Sequence, residues 1–436
     1  MGGNAFATGD KPLYTPRMPP TVYRHVLKDC HAKLQELFDT VKSPVPGPAK
    51  EDYGDVDIYL TWDKDSPIAQ NLLSSLSPST RNPLEAAAHM LNAERYLREQ
   101  PNAIITAIPW PEDLPQEAKD EGPKQNGNVK APRYIQVDLH LFDSVKQCEW
   151  MIFKHAHGDL WNLLGRTIRP FGLTINDNGL NIRIPEIETL DKKKSKILLS
   201  TDPAQVLNFL GLKNGAGQWD GPFASEKDLF EYAATCRLFW VRPEQDENSA
   251  VSDGGEIDKR KFKANDRRRM HHRPVFRRWV DEFLPACRKA GRFATQTATR
   301  DSIRKEAFET FPGTQKAYEA RVTEWRKERQ QQTLWNGVIK KAIPKPAEGE
   351  EKRLGNPHWR SSTAGALKKI IMKEDYSLGI RPPEALRDVD GMYDEDRVRE
   401  FVEDYWLKVG NAAWKENQRR YAEYQAEKTA KGETSG

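Results

Sequence analysis

Polar and apolar positions alternate in two stretches of the chain, residues 53–60 (YGDVDIYL) and 134–141 (YIQVDLHL). This alternation predicts two β-strands that each bury one face. Because successive side chains of a strand point to opposite sides, Asp55 and Asp57 share one face and the apolar residues between them share the other. Asp138 takes the corresponding place in the second strand. If the two strands are neighbours, three carboxylates meet at one edge of a sheet.

This arrangement of acids favours a divalent cation. Carboxylates that stand about 7 Å apart on one strand face repel each other when both are ionised. A hard cation with oxygen ligands removes this repulsion, and Mg²⁺ or Mn²⁺ meets that requirement. Two such ions held by Asp55, Asp57 and Asp138 would suit the transfer of a phosphoryl or nucleotidyl group. The plainer alternative is a set of solvent-facing acids at a sheet margin.

The motif GDVDIYL, followed by the single acid of IQVDLHL, resembles the polymerase-β-like nucleotidyltransferase superfamily. The pattern of that family is a helix, a Gly-containing turn, an Asp-x-Asp strand and a third Asp on a later strand. The resemblance covers residues 21–184, and it looks most like fungal and phage members that begin with MGG and carry QVDL.

The resemblance implies an α+β fold with a mixed sheet and flanking helices, followed here by a mostly helical C-terminal region. It also implies two divalent ions and the transfer of a nucleoside monophosphate from a nucleoside triphosphate to a hydroxyl. By the family mechanism, Asp55 and Asp57 would bridge both ions. Asp138 would be the third ligand and the general base that acts on the acceptor hydroxyl.

The turn before the first strand departs from the family pattern. Family members hold the nucleotide phosphates with a Gly-Gly or Gly-Ser turn, whereas here two prolines, which have no N–H to donate, flank Gly47. Metal binding is therefore better supported than triphosphate binding, and residues 2–4 (GGN) are another candidate source of phosphate contacts. The candidate nucleotide contacts are Gly47, Lys50, Gly54, Lys64 and Arg183. Solvated lysines, ordinary turn glycines and an outward strand position are the alternatives.

The first half of the chain also predicts further helices and strands. Helices are expected from Thr21 onward and over residues 83–100, 145–155 and 158–169, and a strand is expected over 103–109. The stretch 171–184 is typical of a β-hairpin, which we expect to extend the sheet. Residues 111–132 are polar and proline-rich and are expected to be a disordered insertion.

Composition divides the chain into five parts. They are an extended N-terminal arm (1–20), a nucleotidyltransferase-like domain (21–186), a helical connector with an acidic linker (187–258), a basic helical domain (259–345) and a C-terminal helical unit (358–436).

Charge is distributed unevenly along the chain, whose net charge is +4. Residues 259–345 carry roughly 24 Lys and Arg against about 9 Asp and Glu, which suggests an anionic partner. The run 259–279 interleaves these with Phe262, Phe276 and Trp279, which suits phosphate contacts plus base stacking. The candidate nucleic-acid contacts are Lys259, Arg260, Lys261, Lys263, Arg267, Arg268, Arg269, Arg273, Arg277 and Arg278. A nuclear-localisation signal and a solvated basic face with aromatics in the core are the alternatives.

Other features restrict the class of protein. The four cysteines lack Cys-x-x-Cys spacing, which argues against a disulfide framework or a zinc site and for a reducing compartment. Apolar runs stay below the roughly 18 residues of a membrane span, and the N-terminus lacks a signal-peptide core. We therefore expect an intracellular protein of the nucleus or cytoplasm without a membrane partner.

The sequence thus predicts a metal-dependent nucleotidyltransferase with a nucleoside triphosphate as donor and RNA as the favoured acceptor. Two alternatives stay open. One is a nucleic-acid-binding protein that kept the fold but lost triphosphate binding. The other is a nucleotidyltransferase that modifies a protein or a small molecule. The oligomeric state is not indicated.

Overall fold

A computed structural model gives the positions of residues 3–62, 82–112, 124–125, 129–130, 132–214, 219–241, 264–344 and 355–433. The chain divides into two compact units, Met1–Gln315 and Lys316–Gly436. In these described ranges, no helix has both the length and the apolar character required to cross a membrane.

The first unit contains all the named strands of the described residues. In chain order they are β1 (Thr40–Lys42), β2 (Asp55–Thr61), β3 (Arg95–Gln100), β4 (Ala103–Pro109), β5 (Lys124–Gln125), β6 (Val129–Lys130), β7 (Tyr134–Phe142), β8 (Leu173–Asn176), β9 (Gly179–Arg183) and β10 (Lys196–Ser200). They form a five-stranded sheet of order β1-β2-β7-β4-β3, a three-stranded sheet of order β10-β9-β8 and a β5-β6 pair.

The five-stranded sheet is mixed, because β2 and β7 run parallel while the other neighbours are antiparallel. Helices of the first unit are α1 (Pro20–Leu34), α2 (Pro83–Met90), α3 (Val145–His155), α4 (Leu160–Ile168), α5 (Pro185–Glu188), α6 (Pro203–Phe209), α7 (Glu226–Ala234), α8 (Ala264–His272), α9 (Pro274–Arg278), α10 (Leu284–Lys289) and α11 (Arg300–Thr310). A π-helical turn, Trp279–Phe283, joins α9 to α10. The predicted α+β class with a mixed sheet and flanking helices is confirmed.

One face of the five-stranded sheet forms the core of this unit. Alternate residues of β2 and β7, among them Ile58 and Leu139, are fully buried there. The helix α1 covers this face with residues spaced about one turn apart, such as Val22, Val26 and Cys30. Because apolar residues fix this face of β2 and β7 inward, the alternating polar residues must point to the other face.

The prediction of one helix over residues 83–100 was wrong in its second half. The helix α2 ends at Met90, Asn92 adopts a left-handed backbone conformation with φ 54°, and Arg95–Gln100 forms β3. Pairing with β4, in the register Arg95↔Ala107, supplies backbone hydrogen bonds that sequence periodicity does not reveal.

The predicted hairpin is confirmed as β8 and β9, but it does not extend the five-stranded sheet. The strand β9 pairs with β10 on its other side, so the hairpin belongs to a separate sheet. The hairpin packs on α4, which lies between the two sheets in the chain. Within the predicted insertion 111–132, β5 and β6 pair with each other, and residues 113–123, 126–128 and 131 lie outside the described part.

The N-terminal segment packs along the five-stranded sheet. Its backbone forms bridges from Tyr14 to Arg133 and from Met18 to Tyr53. Phe6 is 1% exposed, so this segment contributes to the core of the first unit.

The second unit is helical where the structure describes it. Its elements are α12 (Thr314–Leu334), the π-helical turn Trp335–Ile339, α13 (Pro357–Lys373) and α14 (Glu395–Glu433). A buried aliphatic cluster joins α13 to α14, with Leu367 and Val402 fully enclosed. The expected helical C-terminal region is therefore confirmed.

Candidate functional site

The three predicted acids share one face of the β2–β7 pair. The parallel register places Asp57 opposite Asp138 and Asp55 opposite Gln136. Adjacent strands lie about 4.8 Å apart, so Asp57 and Asp138 are direct neighbours across the pair. Asp55 precedes Asp57 by two residues and therefore faces the same side. We call Asp55, Asp57 and Asp138 the acid cluster.

Local packing holds the acid cluster in place. Val56 and Val137, which alternate with the acids, are 0% exposed in the core. The Ser43 hydroxyl donates a 2.6 Å hydrogen bond to the Asp57 carbonyl and is itself 2.9 Å from His31 Nε2. The chain that leads into β2 is thus tied to α1, and the acids cannot turn toward the core without exposing the valines.

Burial and mutual repulsion raise the pKa values of Asp57 and Asp138. The pKa of Asp57 is raised to about 6, chiefly by burial and then by the Asp55 carboxylate, while the Lys50 ammonium opposes both. Water still reaches 50% of the Asp57 side-chain surface. The pKa of Asp138 is raised to about 7, chiefly by burial and also by the carboxylates of Asp55 and Asp57, although the hydrogen bond from Gln136 lowers it. Both shifts therefore reflect burial first and the mutual repulsion of the acids second.

Three polar neighbours of the acid cluster were missed at the level of sequence. The Gln136 side chain donates from Nε2 to Asp138 Oδ1 over 2.9 Å. His140 Nε2 lies 4.0 Å from Asp57 Oδ1, and burial lowers the pKa of this imidazole. Glu99, in β3, raises the pKa of Asp138 through its charge. Gln136 and His140 alternate with Asp138 along β7, so strand periodicity could have found them.

A second polar group extends the same face. The Tyr59 hydroxyl hydrogen-bonds with Nδ1 of His155, and the Tyr59 ring meets the His140 ring edge-on with centroids 5.1 Å apart. Burial is the largest cause of the lowered pKa of His155, about 4. His155 is thus joined to Tyr59 as a neutral imidazole near the acid cluster.

The donor set of the acid cluster fits a hard divalent cation, because it offers carboxylate oxygens from adjacent strands that repel each other when ionised. The side chains are not gathered into a ligand shell, however. Within the described ranges, no group of three or more His, Cys, Asp or Glu side chains stands close enough to hold a metal ion. A cation would therefore have to draw the carboxylates of the acid cluster together.

The candidate nucleotide contacts near the acids differ in their surroundings. A Cβ added at Gly47 would lie 3.7 Å from Gly158 Cα, an ordinary van der Waals contact, so Gly47 packs beside Gly158 but the packing does not require glycine there. The Lys50 ammonium lies 5.1 Å from the centre of the Tyr53 ring. It is also close enough to lower the pKa of Asp57, which keeps it a candidate for phosphate contact. Gly54 is buried directly before β2, where Gly3 packs against it.

Of the other two candidate nucleotide contacts, Arg183 belongs to a different sheet from the acid cluster. Arg183 lies on β9 of the three-stranded sheet and is paired with Glu188. Its guanidinium also donates to the Arg169 carbonyl over 2.7 Å. Arg183 therefore has a structural role in holding the hairpin to the preceding chain. Lys64 lies outside the described residues.

Several arginines of the basic run (residues 259–279) form ion pairs within the first unit. Asp266, 3% exposed, accepts hydrogen bonds of 2.7 Å from both Arg169 and Arg269. Arg273 pairs with Asp159 over 2.7 Å. These contacts fasten α8 and the start of α9 to both ends of α4. Arg278 likewise pairs with Glu226.

Two of the three aromatic residues of the basic run, Phe276 and Trp279, are core residues. Phe276 is 0% exposed and Trp279 is 1% exposed, so the expectation of base stacking was wrong for these two residues. Arg267, Arg268 and Arg277 are exposed and remain candidate phosphate contacts. Lys259, Arg260, Lys261, Phe262 and Lys263 lie outside the described residues.

Comparisons with known proteins give fold-level similarities only. No family model and no curated protein matches the chain. It is similar to a Leishmania infantum polymerase beta ternary P/T complex, with 16% identity and a TM-score of 0.29, over 47% of this chain and 77% of that chain. It is also similar to the ternary gap complex of Leishmania infantum polymerase beta, with 18% identity and a TM-score of 0.26, over 50% of this chain and 67% of that chain. Matches at this level carry no conclusion about activity, and the resemblance to fungal and phage members stays a prediction.

Proposed function

We propose that the chain is a metal-dependent nucleotidyltransferase that moves a nucleoside monophosphate from a nucleoside triphosphate to a hydroxyl and releases pyrophosphate, with RNA as the favoured acceptor. The observation that carries this proposal is the register of β2 and β7. It sets Asp57 directly opposite Asp138, on the face that also bears Asp55. Acids from two adjacent strands, converging on one face, are what a two-ion site for nucleotidyl transfer requires.

Each acid would have a defined task in this proposal. Asp55 and Asp57 would bind the divalent ions. Asp138 would be the third ligand and would accept the proton of the acceptor hydroxyl. Burial and the neighbouring carboxylates raise the pKa of Asp138 in the metal-free protein, and a bound cation would hold this carboxylate ionised, as a proton acceptor requires. Bound Mg²⁺ or Mn²⁺ would supply Lewis-acid polarisation and neutralise phosphate charge. Lys50 would contact the triphosphate.

RNA is favoured because of the exposed arginines of α8 and α9. Arg267, Arg268 and Arg277 are solvent-accessible cations within one stretch of the first unit. They would contact backbone phosphates, which are common to all sequences. Since Phe276 and Trp279 are core residues, we expect little base discrimination from this surface.

The test uses label transfer from α-labelled nucleoside triphosphates with Mg²⁺ or Mn²⁺. The label is then sorted into RNA, protein and small solutes after incubation with cell extract. The pair Asp55→Ala and Asp57→Ala should reduce transfer to background. Asp143→Ala, which removes an exposed acid just beyond β7, should leave it unchanged. Unaltered transfer by the Asp55 and Asp57 variants would exclude the proposal.

A second candidate is a nucleic-acid-binding protein without catalytic activity. The surroundings of Gly47 favour it, because this glycine is packed against Gly158 and flanked by prolines without N–H donors. Salt-dependent RNA binding, combined with absence of triphosphate binding in calorimetry with Mg²⁺, would support this candidate over the first. Label found in protein or small solutes instead of RNA would indicate a nucleotidyltransferase with another acceptor.

A further inference from the structure

The N-terminal segment makes two separate contacts with the strands that carry the acid cluster. Gly3, with φ +93°, packs on the backbone before β2, and a Cβ added there would lie 2.5 Å from the Gly54 carbonyl oxygen. Two residues later, the Ala5 N–H donates to Gln136 Oε1 over 3.1 Å. Only glycine permits the first contact, because it combines a left-handed conformation with a backbone approach that leaves no space for a side chain.

The second contact continues to the acid cluster. Gln136 is 4% exposed, and its two amide ends are used in opposite directions. The oxygen accepts from Ala5, and the nitrogen donates 2.9 Å to Asp138 Oδ1. Because an amide has a fixed planar geometry, the Ala5 contact determines which end of Gln136 faces the carboxylate. With the ends reversed, Gln136 would present an oxygen to Asp138 and repel it.

We propose that residues 3–5 position the Asp138 carboxylate for its role in the acid cluster by holding Gln136 in one orientation. Gln136 is thus a positioning residue, and the N-terminal segment acts on the site through it. The catalytic consequence rests on the proposed function, whereas the effect on the orientation of Asp138 does not. Hydrogen-bonded partners of carboxylate ligands commonly change metal affinity about 10-fold or more when removed.

The chain offers a matched pair of variants for testing this. Gly3→Ala and Gly9→Ala introduce the same methyl group at residues of left-handed φ, +93° and +106°. At Gly3 the methyl group meets Gly54, whereas at Gly9 it meets nothing within 4 Å. Any shared backbone strain is therefore present in both, and only Gly3→Ala displaces the segment from β2.

The first measurement needs neither metal nor substrate. Full-length protein labelled with ¹³C at the aspartate carboxyl carbons is compared by NMR, with Asp138 assigned from the Asp138→Asn spectrum. Gly3→Ala and Gln136→Met should shift the Asp138 resonance, and Gly9→Ala should leave it in place. An unshifted resonance in Gly3→Ala, with Gln136→Met shifted, would exclude the link through the N-terminal segment. If neither variant shifts it, Gln136 has no positioning role.

The second measurement is Mn²⁺ affinity, from the free-ion signal in electron paramagnetic resonance. We expect Gly3→Ala and Gln136→Met each to weaken binding about 10-fold. The double variant should be no weaker than Gln136→Met, because both changes act through one chain of contacts. Additive losses, or a shift of the Asp138 resonance without any loss of affinity, would overturn the proposal. A wild-type protein that binds no Mn²⁺ would refute the proposed function, while the NMR comparison still decides the orientation of Asp138.

Discussion

Asp138 is a half-buried carboxylate with a raised pKa, caused chiefly by burial, and it accepts a hydrogen bond from Gln136. Its neighbours Asp55 and Asp57 raise its pKa further, and Gln136 lowers it by donating to the carboxylate. The group therefore keeps its proton to higher pH in the folded protein than in the unfolded chain. This makes the acid cluster a source of instability once its acids ionise, which a bound cation would relieve.

Removing this ionisation should change how stability depends on pH. With the folded pKa of Asp138 near 7, the folded state binds more protons than the unfolded state between about pH 4 and pH 7, so stability falls as pH rises through that window. Asp138→Asn should raise Tm by about 2–4 °C relative to wild type at pH 8, and the difference should vanish near pH 4. Calorimetry in metal-free buffer measures both.

The control for this prediction is Asp143→Asn, which changes an exposed acid just after the same strand. It should leave the pH dependence of Tm as in wild type. A Tm difference for Asp138→Asn that is equal at pH 4 and pH 8 would mean that the substitution acts through packing and not through charge.

Among the secondary-structure elements, α8 shows that basic residues can serve the fold. The Asp266 carboxylate, on α8, joins Arg169 at the end of α4 to Arg269 on its own helix. These two guanidinium groups hold the pKa of Asp266 below its ordinary range, although burial alone would raise it. Part of the basic run therefore stabilises the fold through internal ion pairs, which its composition does not reveal.

Loss of the Asp266 ion pairs should lower the free energy of unfolding. Asp266→Asn leaves two arginines without their carboxylate in a largely buried place, and we expect a loss of about 2–4 kcal/mol in the free energy of unfolding. Urea denaturation of the full-length protein, followed by tryptophan fluorescence, measures this loss. Asp301→Asn breaks an exposed pair with Arg304 and should cost less than about 1 kcal/mol. Equal losses in the two variants would contradict the structural role of Asp266.

Particular elements show where sequence reasoning succeeds. The strands β2 and β7 were predictable because strict alternation leaves one way to bury the apolar residues. The chain 95–100 was not, because its spacing fits a helix as well as a strand, and only pairing with β4 decides between them. The contact of Gly3 with Gly54 joins parts of the chain that are distant in sequence, so no local sequence pattern predicts it.

The acid cluster lies on β2 and β7, and the exposed arginines lie on α8 and α9 of the same unit. If RNA is the acceptor, its phosphates would contact Arg267, Arg268 and Arg277. The triple replacement of these by Gln should reduce the slope of log affinity against log salt by about 2, since each phosphate contact on a single strand contributes about 0.7. Fluorescence anisotropy with a labelled oligoribonucleotide over a range of salt concentrations measures the slope.

The matched control for RNA binding replaces three exposed lysines, Lys192, Lys193 and Lys227, by Gln. It removes the same net charge elsewhere in the first unit and should change the slope by less than about 0.5. A similar loss of slope in both triple variants would show that net charge, and not this surface, attracts RNA.

The most direct test of the acid cluster is anomalous diffraction from crystals of the full-length protein soaked with Mn²⁺. We predict a manganese peak within about 2.0–2.6 Å of carboxylate oxygens from both β2 and β7, with Asp57 and Asp138 among its ligands. The peak should be lost in Asp57→Asn crystals. The account is contradicted if the Asp138 carboxylate lies more than about 10 Å from Asp55 and Asp57, a distance no single ion can bridge, or if manganese binds only elsewhere.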